Sequence, residues 1–180
     1  MGAARIEGGV PQGWAHDQTG ARAAAVSAVS LTGDIARAGF ITRADMIAAL
    51  ATARYGPTLA RLSAEQLAAM TGALGPEGVT AASVVFAELP LTARVVRVDS
   101  TRARVAVWSV LVVAVPDRGA PRQAWRTVTV DLVWEREDWR VDGWDAEAGP
   151  TPLLDTHGPI ATAEELANAA SWPTIARGGR

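Results

Sequence analysis

The spacing of apolar residues changes along the chain, from a helical period to a period of two near residue 80. Before that point apolar side chains recur every three or four residues, as they do on one face of a helix. After it, apolar and polar residues alternate, as they do on the two faces of a strand. Helices that precede strands, rather than alternating with them, predict an α+β fold. We therefore expect N-terminal helices packed on a curved, mostly antiparallel sheet of four or more strands.

Three helices are predicted before the change of period. Each begins at a residue whose side chain can accept hydrogen bonds from the free amide groups of a helix N-terminus. Each ends where glycine or proline interrupts the pattern. The expected N-caps are Asp17 or Thr19, Thr42 and Ser63, and the expected ends are Gly33, Gly56-Pro57 and Gly75-Pro76.

Four strands are predicted after the change of period, and the connections between them have the lengths typical of hairpins. Proline lacks the amide hydrogen that a strand ladder needs, so the first strand should pair only beyond Pro90. The expected strands are 84–98, 102–115, 123–136 and 138–145.

The last hairpin can be aligned residue by residue. A two-residue turn at Arg136-Glu137 places Trp134 opposite Trp139. Two residues further along, Leu132 lies opposite Val141. One face is then apolar on both strands, and this agreement supports the register.

The same register places Asp131 opposite Asp142 on the other face, beside Arg140. In a cavity the two carboxylates could act as a general acid and base, with Arg140 orienting an anionic or carbonyl group. On a solvated face Arg140 or Arg126 would neutralise them, and this second interpretation is favoured because charged pairs on strands usually face water. It predicts pKa values near that of a free Asp, and a small gain of stability when both are changed to Asn.

Tryptophans are concentrated in the predicted sheet, and they could form an aromatic pocket or a stacking surface. Packing in the core is the favoured interpretation for most of them. Trp108 and Trp144 are not accounted for by the apolar face of the last hairpin. Trp144 would lie on the outer face beside Thr129 and Val133, where it predicts a contact patch for self-association.

Length and composition indicate one domain. A chain of 180 residues, 49% of them hydrophobic, can bury a single core. Residues 1–13 are Gly-rich and without period, which predicts a flexible N-terminal arm. The domain covers residues 14–150, and 151–180 form a C-terminal extension in which 162–170 could form one short helix.

The charge pattern does not favour nucleic acid. The net charge is −2, so the chain as a whole provides no attractive field for phosphates. The first predicted hairpin carries four arginines that could contact phosphates: Arg94, Arg97, Arg102 and Arg104. The turn of the last predicted hairpin, however, brings acidic residues to the same end of the sheet, so the local charge is mixed.

Residue usage excludes several kinds of catalytic site. The chain has no Cys, which excludes disulfides, thiolate nucleophiles and the usual structural zinc sites. Its two histidines, His16 and His157, lie in segments without periodicity near opposite ends of the chain. The sequence contains no metalloprotease, nucleophile-elbow or phosphate-loop motif. We therefore expect no metal, no cofactor and no recognisable set of catalytic residues.

Helices followed by a strongly curved sheet, over roughly residues 14–149, resemble the nuclear transport factor 2-like (cystatin-like, cone-shaped) superfamily. Two local patterns are similar to the extracytoplasmic domains of actinobacterial membrane proteins, assembly components of type IV secretion and conjugation machinery. The first pattern is Val10-Pro11-Gln12-Gly13-Trp14-Ala15 with Thr19-Gly20-Ala21. The second is Trp125-Arg126-Thr127-Val128-Thr129-Val130 with Leu132-Val133-Trp134, then Asp138-Trp139-Arg140-Val141 and Gly149-Pro150-Thr151-Pro152.

This resemblance implies a non-enzymatic assembly domain, an accessory component of a cell-envelope transfer or secretion apparatus that binds other protein subunits and itself. The superfamily also implies an alternative, an enzyme or ligand-binding protein that holds a small molecule in the cavity of the cone. Such an enzyme would be of the isomerase, cyclase, dehydratase or hydrolase type. The resemblance further implies an extracytoplasmic location with a membrane anchor that these residues do not include. The residues alone leave two alternatives open, a cytoplasmic location or one that depends on such an anchor or on a signal peptide.

Overall fold

The computed structural model describes residues 2–73, 84–115, 120–152, 162, 164 and 165. Within them, a short two-stranded hairpin is followed by helices and then by a four-stranded antiparallel sheet, which confirms the α+β fold. The elements are β1 (Arg5–Glu7), β2 (Val10–Gln12), α1 (Gln18–Ser30), α2 (Thr32–Arg37), α3 (Phe40–Leu50), α4 (Gly56–Ala73), β3 (Val85–Val98), β4 (Arg102–Ala114), β5 (Arg122–Glu135) and β6 (Asp138–Ala148).

The main sheet has the strand order β3-β4-β5-β6, so each strand pairs with its neighbour in sequence. Bulges interrupt β3 twice and β6 once, and bulges bend and twist the strands that carry them. Pro90 lies within β3, opposite Ser109. The expectation that pairing begins beyond Pro90 is therefore wrong, because β3 is an edge strand, where a missing amide hydrogen need not cost a ladder bond.

The N-terminus of α1 was predicted correctly. The side chain of Asp17 accepts a hydrogen bond from the backbone amide of Gly20 at 2.7 Å. Helix α1 ends at Ser30, close to the predicted break around Gly33, although Gly33 itself lies inside the following helix α2. A Cβ atom at Gly33 would lie 2.0 Å from the carbonyl oxygen of Phe86, so glycine is what allows α2 to approach β3 this closely.

The predicted starts of the other two helices are wrong. Thr42 lies inside α3, whose N-cap is Gly39 and has no side-chain hydrogen bond. Ser63 lies inside α4, where its hydroxyl donates a hydrogen bond to the carbonyl of Leu59 at 2.8 Å. Gly56-Pro57 begins α4 rather than ending a helix, because proline in the first turn loses no helical hydrogen bond.

The helices pack on one face of the sheet, which we call the inner face. The buried residues of α1 are mostly alanine and glycine, so this helix can lie close to the strands. The sheet contributes branched side chains, which fill the space between the two layers. Core residues of the inner face include Val105, Val107, Val128, Val130, Leu132 and Val141, and those of the helices include Ala25, Val29, Met46, Ile47 and Leu50.

The expectation of a flexible N-terminal arm is wrong for residues 5–12, which form a hairpin. Strands β1 and β2 pair in a hairpin whose turn is Gly8-Gly9, both with positive φ. Val10 and Gln12 are buried, and the side-chain amide of Gln12 donates a hydrogen bond to the carbonyl of Ala49 at 2.6 Å. The glycines of this segment therefore form a tight turn, and the strands beside it are fixed by tertiary contacts.

The beginning of the predicted C-terminal helix falls within the described residues. Thr162 and Glu165 exchange hydrogen bonds between side chain and backbone in both directions, which is the geometry of a capping box. The rest of the segment 162–170 lies outside the described residues. Among the helices that the structure describes, none is long and apolar enough to span a membrane.

Candidate functional site

The opposite face of the sheet, which we call the outer face, carries a groove at the end formed by the first and last hairpins. Its volume is about 530 Å³, and apolar atoms make up much of its lining beside the basic and acidic side chains. We call it the outer groove. The charged residues that line it are Arg54, Arg97, Arg102, Arg104, Asp131 and Asp142.

A bulge in β6 places the two aspartates differently from the prediction. The turn at Arg136-Glu137 and the first pairs of the hairpin are as predicted. The register then shifts by one residue, so that Gly143, not Asp142, lies opposite Asp131. The predicted cross-strand carboxylate pair is therefore wrong. The shift relieves the repulsion that such a pair would create, since each aspartate now has its own arginine partner.

Asp131 pairs with an arginine of the adjacent strand. The Arg104 guanidinium donates two hydrogen bonds to its carboxylate, from Nε at 2.7 Å and from Nη2 at 2.9 Å. Gly143 leaves the space for this carboxylate, because a Cβ atom there would lie 2.9 Å from Asp131 Oδ2. The pair is partly exposed, which fits the expected solvated face, but neither Arg140 nor Arg126 is the neutralising partner.

Asp142 is held by the connection between α3 and α4. Thr52 donates a hydrogen bond to its carboxylate at 2.7 Å, and Arg54 forms an ion pair with it. Burial acts to raise the pKa of Asp142, but the hydrogen bonds from Arg54 and Thr52 and the charges of Arg54 and Arg102 outweigh it, so the pKa lies below its ordinary value. A lowered carboxyl pKa keeps Asp142 ionised at neutral pH, so it is a poor general acid.

Two arginines of the outer groove have weak partners or none. Arg97 lies 3.6 Å from the carboxylate of Asp99, and its side chain is largely exposed. Among the described residues, the side chain of Arg102 takes part in no hydrogen bond and no ion pair. The groove therefore carries positive charge that its own aspartates do not neutralise.

An aromatic pair lies further along the same face. The rings of Trp108 and Trp125 have centroids 5.0 Å apart, and Trp108 Nε1 donates a hydrogen bond to the carbonyl of Pro150 at 3.0 Å. Trp125 Nε1 is buried and has no hydrogen-bond partner among the residues that the structure describes. Trp108 therefore lies on the outer face with the arginines.

Arg140 and Trp144 do not line the outer groove. Arg140 is buried, and its guanidinium donates hydrogen bonds to the carbonyl of Ala49 at the C-terminal end of α3 and to Gln12 Oε1. Because of the bulge, Trp144 lies opposite Val130 and packs against the core. The expected contact patch around Trp144 is therefore wrong.

The two sequence patterns on which the family resemblance rests lie against each other in the structure. Asp138, with 1% of its side chain exposed, accepts hydrogen bonds from the backbone amides of Gly13 at 2.9 Å and Trp14 at 3.1 Å. Trp139 Nε1 donates a hydrogen bond to the carbonyl of Ala15 at 3.0 Å. These motif residues therefore hold the N-terminal segment against the last hairpin, and Asp138 is buried rather than exposed in the turn.

A second polar cluster lies between β3, β4 and β5. Glu88 has a fully buried side chain, forms an ion pair with Arg126 and accepts a hydrogen bond from the hydroxyl of Ser109 at 2.7 Å. Burial of charge is costly unless the charges are paired, and here they are. Sequence reasoning missed this cluster, although Glu88 at an inward position of an alternating strand was a visible signal.

Sequence reasoning also missed the role of Arg54, which reaches the groove from a helical connection distant in sequence. No local pattern could have indicated it. The arginines of the first hairpin were noticed, but only as candidate phosphate contacts. Within the described part of the chain, no group of three or more histidine or acidic residues could hold a metal ion.

No known family description matches the chain. No curated protein matches its sequence. Among solved structures, the chain is similar to the intermembrane space region of the chloroplast protein ARC6, with 17% sequence identity and a TM-score of 0.41, over 69% of this chain and 92% of that chain. A likeness of this degree carries no argument about function.

Proposed function

We propose that this chain is a non-enzymatic protein-interaction domain that contacts its partners through the outer face of its sheet. The observation that carries the proposal is the outer groove, which is wide, open and lined by four arginines. Arginine and tryptophan are the residues that most often dominate binding energy at protein interfaces. Both are present on this face, while the described helices pack on the other one.

The setting that we propose is a cell-envelope transfer or secretion apparatus, in which the domain is an accessory component. Support comes from the resemblance of the two sequence patterns to assembly components of such machinery. The same setting includes self-association as well as binding to other subunits. In this proposal the domain is extracytoplasmic and is attached to the membrane by an anchor that these residues do not include.

Co-purification from the source organism tests the proposal when it is combined with a variant that blocks the outer face. Thr129 lies on that face, half-buried, at the centre of β5. Thr129→Trp should remove a discrete set of co-purified proteins that the unchanged chain retains. The matched control is Arg22→Trp, which places the same side chain on the exposed side of α1.

Two results would contradict the proposal. One is the absence of any co-purified protein above the level of an untagged strain. The other is an identical set of proteins with the Thr129→Trp variant and with the unchanged chain. Far-ultraviolet circular dichroism and the unfolding midpoint establish that both variants fold before they are compared.

A second candidate function is small-molecule binding or catalysis in the interior of a cone-shaped fold, of the isomerase, cyclase, dehydratase or hydrolase type. The specific observation in its favour is the buried Glu88, Arg126 and Ser109 cluster, since buried ionisable groups are common in active sites. Glu88→Gln would abolish turnover or ligand binding under this candidate. Under the leading proposal the same variant changes stability only.

A further inference from the structure

Arginine side chains are crowded at one end of the outer groove. Arg97 and Arg104 lie directly opposite each other on β3 and β4. Arg102 follows on the same face of β4, since alternate residues of a strand share a face. Like charges in direct cross-strand positions destabilise a sheet. Asp131 compensates Arg104, Asp142 compensates Arg54 and Asp99 lies 3.6 Å from Arg97, whereas Arg102 has no such partner among the described residues.

We propose that the outer groove binds an extended acidic segment of a partner protein. The carboxylates of that segment would be held by Arg102 and by the guanidinium edges of Arg54 and Arg104 that face away from the aspartates. This inference rests on the proposed function and deepens it, because it specifies the chemistry of the partner. It also gives the uncompensated positive charge a function.

The two aspartates position the arginines for this role. Arg104 uses Nε and Nη2 to bind Asp131, and Arg54 uses the same two atoms to bind Asp142. A guanidinium has five N–H donors, so the Nη1 group of each side chain remains able to donate to a ligand. Side chains that are already fixed lose less conformational entropy on binding. Asp142 is itself fixed by Thr52.

The mixed charge of the groove favours an acidic peptide over a nucleic acid. A phosphate backbone carries a dense, regular negative charge, and Asp131 and Asp142 would repel it. A peptide can place its carboxylates opposite the arginines and leave neutral residues opposite the aspartates. The overall charge of −2 also opposes general binding of a polyanion such as DNA.

Fluorescence anisotropy with a labelled oligo-glutamate peptide tests the inference on the full chain. Arg102→Glu is the best variant, because the side chain of Arg102 makes no direct ion pair among the described residues and only its charge acts on Asp142. We expect it to weaken binding by about tenfold or more, and we expect added salt to weaken binding of the unchanged chain. Arg22→Glu makes the same charge change on the exposed side of α1, and we expect its affinity to stay within about twofold of the unchanged chain.

Three outcomes would overturn the inference. The first is that Arg22→Glu and Arg102→Glu weaken oligo-glutamate binding equally. The second is that single-stranded oligothymidylate binds as tightly as oligo-glutamate. The third is that oligo-glutamate shows no measurable binding at millimolar concentration. The proposed function has a separate test. Thr129→Trp could still remove partner proteins while Arg102→Glu has no effect on oligo-glutamate binding. That result would support the proposed interaction domain and contradict the binding of an acidic segment.

Discussion

A single buried carboxylate fixes the N-terminal segment to the last hairpin. Asp138 accepts hydrogen bonds from the backbone amides of Gly13, Trp14 and Trp139. An Asn side chain at this position would lose the negative charge and would turn an N–H₂ group towards some of these donors. Asp138→Asn should therefore lower the free energy of unfolding by about 2 to 3 kcal/mol, as measured by urea denaturation.

The matched control for this prediction is Asp34→Asn. Asp34 is an exposed residue whose ion pair with Arg37 spans one turn of α2. Pairs of this kind contribute about 0.5 kcal/mol or less. Equal losses of stability in the two variants would show that the buried hydrogen bonds of Asp138 do not anchor the segment.

The lowered pKa of Asp142 predicts a specific pH dependence. In the folded state burial opposes ionisation of Asp142, but Arg54, Thr52 and Arg102 favour it more strongly. The stabilisation is complete above the pKa of an unfolded Asp, about 3.9, and is lost as the pH falls through the lower folded-state value. Arg54 is mostly exposed, so the loss should stay below about 1 kcal/mol.

Unfolding measured by denaturant between neutral pH and about pH 3 checks this dependence. Asp142→Asn should give a flatter pH profile than the unchanged chain, and Thr52→Val should give a profile between the two, because it removes one of the favourable hydrogen bonds. The sequence alone predicted that removing both aspartates would stabilise the fold. With each carboxylate paired to an arginine, Asp142→Asn should instead be neutral or slightly destabilising at neutral pH.

At the residue scale, the sequence correctly predicts the pairs of the last hairpin that lie next to its turn, but not the pairs beyond the bulge. Matching apolar faces determine the pairs next to the turn, such as Trp134 with Trp139. The bulge beyond them depends on Thr52 and Arg54, which lie far away in sequence and attract Asp142. A local pattern contains no information on those contacts, so the positions of Asp142 and Trp144 could not be predicted from it.

At the scale of elements, the contact between α2 and β3 depends on one glycine. Gly33→Ala would place a methyl group 2.0 Å from the carbonyl oxygen of Phe86, a distance that forces the helix away from the strand. Overpacking of this kind costs about 1 to 3 kcal/mol or more. We expect a corresponding drop in the unfolding free energy, which urea denaturation would measure.

Gly56→Ala is the control for this substitution. A Cβ atom at Gly56 would have its nearest neighbour at 3.6 Å, on the side chain of Ile47, which is an ordinary contact. Alanine favours a helix over glycine, but Pro57 disfavours helical backbone for the residue before it, so this variant should stay within about 1 kcal/mol of the unchanged chain. If Gly33→Ala is equally well tolerated, the close approach of α2 and β3 is not a constraint.

The strands were predicted far better than the helix ends. Alternation over ten or more residues determines each strand of the sheet, and these residues also form the core. Helix ends depend on tertiary contacts instead. Arg43, for example, donates hydrogen bonds to the carbonyls of Ile35, Ala36 and Ala38 at the end of α2, which supports an early start of α3.

At the scale of the whole molecule, self-association stays a prediction, now without Trp144. The edge strand β3 carries Leu89 and Val96, which are large apolar residues with half of their surface exposed. Exposed edges of this kind pair readily with another chain. Light scattering should show a concentration-dependent dimer, and Val96→Lys should shift it towards monomer. A monomer alone at high micromolar concentration would contradict self-association.

The outer groove is a property of the whole fold. Arg54 comes from the connection between two helices, Arg97 and Arg102 from the first hairpin, and Asp131 and Asp142 from the last one. The sequence indicated the sheet and most of the individual charged residues. It could not indicate that three separate segments bring them to one face, because that depends on strand register and on the path of the helical connection.

Site-specific photo-crosslinking in the source organism tests most directly whether the outer face is the interaction surface. A photoreactive amino acid at Thr129 reports on the outer face, and one at Arg22 reports on the exposed side of α1. We expect discrete protein adducts from position 129, reduced when Arg102→Glu is added, and none of the same adducts from position 22. Equal adducts from both positions, or none from position 129, would contradict the account.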